Sequence, residues 1–131
     1  MKLFIEIESK VGDIKKIFAN CYPFLKIELY KKPFNYDHIG IKKEQLEPTA
    51  NLNRFIHTSS GKPVIDISTD ITVAELENQF ENIGLIAEVF RKSGNVWIES
   101  SLTDNWTLKQ QNAEGEEISR HFCTKVNSSN P

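Results

Sequence analysis

No apolar run in this chain approaches the ~20 residues that span a bilayer, and Met1-Lys2 leads straight into a short alternating segment instead of a leader's apolar core. A membrane span and a cleaved leader are not expected, and the chain reads as cytoplasmic. Cysteine is scarce. Cys21 and Cys123 are the two present, and they form neither a CxxC nor a metal-finger spacing, so both are expected as reduced thiols. An excess of either charge is also lacking: 16 basic residues against 18 acidic ones give a net charge of −2. That balance offers no electrostatic footprint for nucleic acid or an anionic membrane. The 3 histidines are His38, His57 and His121. His121 and Cys123 make one i,i+2 pair, whereas structural zinc takes about four ligands and catalytic zinc about three from the protein. No metal and no cofactor are expected. Ser59-Ser60-Gly61-Lys62 lacks the first glycine of a phosphate loop and the hydroxyl residue after its lysine, and a strand comes next, so it reads as a tight turn.

What is present is amphipathic periodicity, twice over. Lys2 to Glu8 alternates as a half-buried strand, with Leu3, Ile5 and Ile7 toward the helices, and Val64 to Ser68 does the same around Ile65 and Ile67. Val11, Ile14, Phe18 and Cys21 make an apolar helical stripe that Ser9 is positioned to cap. Tyr22-Pro23 ends that helix, because proline cannot continue the ladder. Val73, Leu76, Phe80 and Ile83 repeat the stripe behind a capping box, Thr72-Val73-Ala74-Glu75, and Gly84 stops it. A strand comes after each helix, and Glu28-Leu29-Tyr30-Lys31-Lys32 matches Glu88-Val89-Phe90-Arg91-Lys92.

Aligning Ile5 and Ile7 with Ile65 and Ile67 leaves the helices out of phase by two residues, and the reading is an internal repeat of two β-α-β units. One apolar stripe per helix and alternating strands call for an antiparallel sheet with both helices on one face. The expected fold is α+β, a ferredoxin-like β-α-β-β-α-β sheet. At 131 residues the chain is expected to be one domain over residues 1–124, with a flexible polar tail at 125–131. Lys32 to Lys62 is a long insert between strands 2 and 3, with Asn51 to His57 as a short helix inside it. Lys92 to Asn95 turns the chain into an added strand, Val96 to Glu99. Thr103 to Asn112 reads as a helical turn capped by Thr103 or as a further strand, and Glu114 to Glu117 as a turn.

Alternation places Phe4, Glu6, Glu8, Lys26, Glu28, Tyr30, Asp66, Glu88, Phe90 and Trp97 on the sheet face away from the helices. Acids outnumber bases there, which repels phosphate and speaks against RNA despite the aromatics. Such a face serves as a contact surface, unless the insert and the segment after Ser100 fold back over it. Trp97 and Trp106 flank a short connection that can bring two indoles into one cluster, with Trp106 anchoring the C-terminal segment.

Gly94-Asn95-Val96-Trp97-Ile98-Glu99 together with Thr103 to Asn112 resembles a group of small uncharacterised bacterial proteins; the resemblance implies no activity and no site residue. From the residues, the leading functional reading is a non-enzymatic binding or assembly module. It would act through a sheet face or edge, using Tyr30, Phe90, Trp97 and Trp106, with a protein or a second copy as partner. The alternative is a small enzyme or small-molecule sensor with a pocket lined by Tyr36, His38, His57 and Asp104, between the insert and the Trp97/Trp106 hairpin. Asp104 or Glu99 as an acid or base is weighed against solvated carboxylates on a hairpin, which are far commoner; no catalytic residue is assigned.

Overall fold

The computed structural model describes residues 2–4, 9–32, 44–56 and 63–128, with the backbone alone for 2–4 and 121–128. Its elements in chain order are β1 (Lys2–Phe4), α1 (Val11–Cys21), β2 (Leu25–Lys31), β3 (Glu44–Gln45), β4 (Val64–Asp66), α2 (Val73–Asn82), β5 (Leu85–Ser93), β6 (Val96–Glu99) and α3 (Leu108–Ser128). Short 3-10 turns lie at Leu52–Arg54 and Ser101–Thr103. The class is α+β, as expected. Among the described residues no helix is long and apolar enough to cross a membrane.

The strands form an antiparallel sheet of 4 in the order β3-β2-β5-β6, while β1 pairs with β4 separately. This differs from the ferredoxin-like order, which keeps the strands at 25–31 and 85–91 on opposite edges. Here they are hydrogen-bonded neighbours from Leu25↔Arg91 to Lys31↔Leu85. The physical reason is visible in the register. Directly opposed residues share a face, so pairing β2 with β5 sets Leu25, Ile27 and Leu29 beside Val89, Ala87 and Leu85 as one apolar surface. Val11, Ile14 and Phe18 of α1 and Val73, Leu76 and Phe80 of α2 pack in one cluster with that surface, so both helices lie on one face.

Each helix is started by a distant loop. The first amides of an α-helix have no partner within the helix. In α1, the Val11 and Gly12 N–H groups donate to the carbonyls of Ala50 (3.0 Å) and Pro48 (2.9 Å), and Leu52 N–H returns a bond to Ser9 C=O (2.9 Å). In α2, Val73 and Ala74 N–H donate to Trp106 (3.1 Å) and Asp104 (2.8 Å), and Leu108 N–H returns a bond to Ile71 C=O (2.9 Å). The antiparallel bridges Lys10↔Asn51 and Thr72↔Thr107 sit at equivalent points of the two arrangements. The Thr72–Glu75 capping box forms as expected, with Glu75 N–H 3.1 Å from Thr72 Oγ1. Ser9 does not cap α1: the cap position is Lys10, whose N–H donates to Asp13 Oδ2 at 3.1 Å.

Two expectations for the C-terminal part are corrected. The helix begins at Leu108 rather than after Thr103, because Thr107 and Gln110 form their own box: Gln110 N–H donates to Thr107 Oγ1 (3.1 Å) and Thr107 N–H to Gln110 Oε1 (2.8 Å). Glu114 to Glu117 is not a turn but part of α3. Gly115 is there for close approach, since a Cβ at that position would lie 3.0 Å from Phe24 Cβ and 3.1 Å from Phe24 O. Glycine brings α3 down onto the start of β2, where Asn112 Oδ1 accepts from Phe24 N–H at 2.8 Å. At the same end of the sheet, where Phe24 C=O accepts from Lys92 N–H, Gly94 (φ 67°) opens the two-residue turn between β5 and β6, a conformation that costs side-chain-bearing residues but not glycine.

Tyr22, 4% exposed, ends α1 inside the core. Its hydroxyl donates to Ile67 C=O at 2.5 Å, and its pKa is pushed up to about 12, first by burial and then by the charges of Cys21, Asp66 and Asp70. An unfolded tyrosine ionises near pH ~10. Below that pH both states keep the proton, so stability is flat with respect to Tyr22. Between pH ~10 and ~12 the unfolded chain loses its proton while the folded one keeps it, and stability falls by on the order of 2 kcal/mol as pH rises. Urea unfolding of Tyr22→Phe should show a shallower alkaline limb than the parent; equal slopes above pH ~10 would refute this.

Candidate functional site

The face of the sheet opposite the helices carries the features that point to function, and the strand register builds it. Lys26 on β2 lies opposite Phe90 on β5, which lies opposite Glu99 on β6. The next row along is Glu28↔Glu88, and the one beyond it Tyr30↔Ile86, with Gln45 of β3 across from Tyr30. On the far side of Phe90, Lys92 lies opposite Trp97.

Glu28 is the electrostatic centre of this face. It is 8% exposed, and Lys15 Nζ bonds both its carboxylate oxygens at 3.1 and 3.0 Å. Gln45 Nε2 donates to Oε2 at 2.5 Å, and Lys26 Nζ stands 3.8 Å from Oε1. Three hydrogen bonds from Lys15 and Gln45, with the Lys26 charge nearby, offset the desolvation of this buried carboxylate, which leaves a satisfied ionic cluster. Lys26 also reaches the aromatics, with Nζ 5.1 Å from the Phe90 ring centroid and 5.4 Å from that of Trp97. A cation held over aromatic faces keeps those rings in a fixed orientation. The Tyr30 hydroxyl pKa is raised, by burial first and then by Glu28 and Glu99. It therefore stays a neutral hydrogen-bonding group across the physiological range.

The structure thus brings Tyr30, Phe90 and Trp97 together on one face, as alternation implies. It does not bring Trp106 there. Arg91 alternates with Phe90 and Lys92 and so projects to the helix side, where its guanidinium lies 5.5 Å from the Trp106 ring centroid. The expected indole cluster is replaced by two aromatic–cation pairs on opposite sides of the sheet. Asp104 belongs with Trp106 in the loop that starts α2, through its carbonyl. Asp66, also expected on the outer face, is on β4, outside the large sheet, where its carboxylate accepts from Ser68 N–H (2.9 Å). Tyr36, His38 and His57 lie outside the described residues, as do the side chains of Phe4, Glu6 and Glu8. Of the pocket expected between the insert and the hairpin, Asp104 is the one described member, and its contact is with helix α2. Among the described residues no group of His, Cys, Asp and Glu is placed to hold a metal ion.

Periodicity did not single out Lys15 or Gln45, because each reaches Glu28 from another element. β6 is the added strand expected at Val96 to Glu99. All four of its residues are exposed, with Val96 at 53% and Trp97 and Ile98 each at 38%. Among the described residues, the segment after Ser100 lies on the other side, where its helix packs against Phe24 and Arg91. Residues 33–43 and 57–62 of the insert, the other expected cover, lie outside the described residues, and Glu28 and Ile86 of the outer face are buried. Comparison of this chain with protein-family models, curated proteins and solved structures finds no match.

Proposed function

We propose that this chain is a non-enzymatic assembly module built from a duplicated β-α-β-β unit, and that it associates through the outer sheet face and its edge strand. The observation that carries the functional part is the exposure of β6: Trp97 lies on the same face as the half-buried rings of Phe90 and Tyr30, and Val96 and Ile98 are exposed on the other side of the same edge strand. Exposed apolar side chains contiguous with aromatics on a sheet are the composition of a protein contact. Of the charged side chains on that face, Lys26 is engaged with the Glu28 carboxylate, which Lys15 and Gln45 also hold.

The duplication is supported by the matching loop-to-helix hydrogen bonds at the two helix starts. It is also supported by where the ladders centre. Glu28 opposes Glu88, and Leu3 opposes Ile65, as a two-fold relation between halves requires of equivalent residues. The second centre pairs Leu3, not Ile5, with Ile65. This puts β1 in step with the Val11/Val73 and Phe18/Phe80 stripes and moves the two-residue offset into the shorter loop before β5.

Light scattering on the full chain tests the assembly. The expected mass is twice that of the chain at high concentration, falling toward the monomer on dilution. Phe90→Glu and Trp97→Glu should each be monomeric with an unchanged far-ultraviolet circular dichroism spectrum. A parent that is monomeric at millimolar concentration, or two variants that dimerise like the parent, would contradict the reading.

A further inference from the structure

Resting on that reading, we propose that the partner is a second copy of this chain and that the contact is antiparallel pairing of β6 with its counterpart. The two-fold axis passes through Trp97, and the two sheets join into one continuous sheet.

The two edges of the sheet are unlike. Exposed strand edges invite pairing with other chains, and proteins blunt them by shortness, charge, lysine or proline. The β3 edge is blunted: it is two residues long, Glu44–Gln45, and polar. The β6 edge, Val96-Trp97-Ile98-Glu99, has no lysine and no proline, one charge at its end, and three residues of high strand propensity in succession. Among the described residues no strand pairs with its outer side.

Backbone direction fixes which groups that side presents. Ser100 N–H donates to Val89 C=O at 3.1 Å, and Lys92 N–H donates away from β6, to Phe24 C=O at 2.9 Å. Hydrogen bonding alternates along an antiparallel pair. Val96, Ile98 and Ser100 therefore turn their backbone groups toward β5, and Trp97 and Glu99 turn theirs outward. An isologous pairing must be centred on a residue or its equivalent. Centred on Trp97, it makes Trp97 a reciprocal hydrogen-bonded pair with its copy, and Asn95 a hydrogen-bonded pair with Glu99 at each end. Val96 then stands opposite Ile98 on one face, and the two indoles meet on the other, extending the Phe90 strip from one copy to the next. Every apolar residue of the strand faces an apolar residue, and each Glu99 faces an amide side chain instead of the other Glu99. Centring on Ile98 instead would set Trp97 against Glu99 and give up the outer pairs.

The test uses the full chain with Cys21→Ser and Cys123→Ser, into which Trp97→Cys or Ile98→Cys is introduced singly. Opposed residues of a hydrogen-bonded pair have Cα atoms about 5.5 Å apart, within the roughly 4.4–6.8 Å that a disulfide spans. On mild oxidation Trp97→Cys should form covalent dimer at least tenfold faster than Ile98→Cys. Since Trp97→Cys removes an indole, a second variant keeps the wild-type side chains of the centre. Glu99→Pro deletes one outward N–H and leaves the bonds to β5 in place, and it should raise the dimer dissociation constant at least tenfold in light scattering. Faster cross-linking at Ile98 overturns the register. A Glu99→Pro protein that dimerises like the parent while Phe90→Glu does not places the contact on the face, overturning the edge pairing and leaving the wider assembly reading intact. A monomeric parent overturns both.

Discussion

Phe80→Ala is expected to lose about 3 to 5 kcal/mol of stability, the cost of emptying an aromatic site in a packed core. Phe80 is 1% exposed on α2, in the cluster that includes Phe18, Leu85 and Val89. Phe90→Ala removes the same side chain from the opposite face of the sheet and should cost only about 1 kcal/mol, because Phe90 is half-buried and its specific contact is Lys26 over its ring. Urea unfolding of the two variants beside the parent reads both. Equal losses would mean that the outer face is itself a core and would leave no reason to regard it as a contact surface.

Trp106→Ala is expected to cost about 2 to 3 kcal/mol, below the range of a fully buried tryptophan because the side chain is half-buried. The sequence suggests that the residue anchors the C-terminal segment, and two contacts the sequence does not disclose bear on that role. Its carbonyl accepts from Val73 N–H at the start of α2, and its ring takes the Arg91 guanidinium. Arg91 is held by Gln111 Oε1 at 2.9 Å, and the fully buried Gln111 in turn donates to Thr103 C=O at 2.6 Å. Arg91 Nε is a buried donor without a partner, so loss of the indole removes part of what compensates a costly group. An unfolding midpoint indistinguishable from the parent would refute the anchoring role.

What the sequence discloses is what is written locally. The stripes Val11/Ile14/Phe18 and Val73/Leu76/Phe80, the Thr72–Glu75 box and the turn at Gly94-Asn95 need only neighbours in the chain to be legible. The same alternation that marks Leu25, Ile27 and Leu29 as inward also marks Lys26, Glu28 and Tyr30 as outward, so half of the candidate surface was legible. Strand partnership was not. Alternation is satisfied equally whether β2 has β5 or another strand beside it, and only the fit of Leu25, Ile27 and Leu29 against Val89, Ala87 and Leu85 decides it.

The start of α3 was legible in Thr107 and Gln110 and was masked by the competing signal of Thr103. Gly115 reads as a turn until Phe24 is known to lie against it. The Glu28 cluster draws Lys15 and Gln45 from separate elements, and no spacing in the chain announces such a meeting.

The claim that two copies meet at β6 is tested most directly by amide hydrogen exchange along that strand as protein concentration is varied. Ile98 N–H points at β5 and should be protected at every concentration, since its bond belongs to the monomer. Trp97 and Glu99 N–H point outward; they should be protected at concentrations where light scattering shows dimer, and should lose that protection together on dilution. Exchange of the Trp97 amide at the rate of an open chain in the concentrated sample would contradict the account.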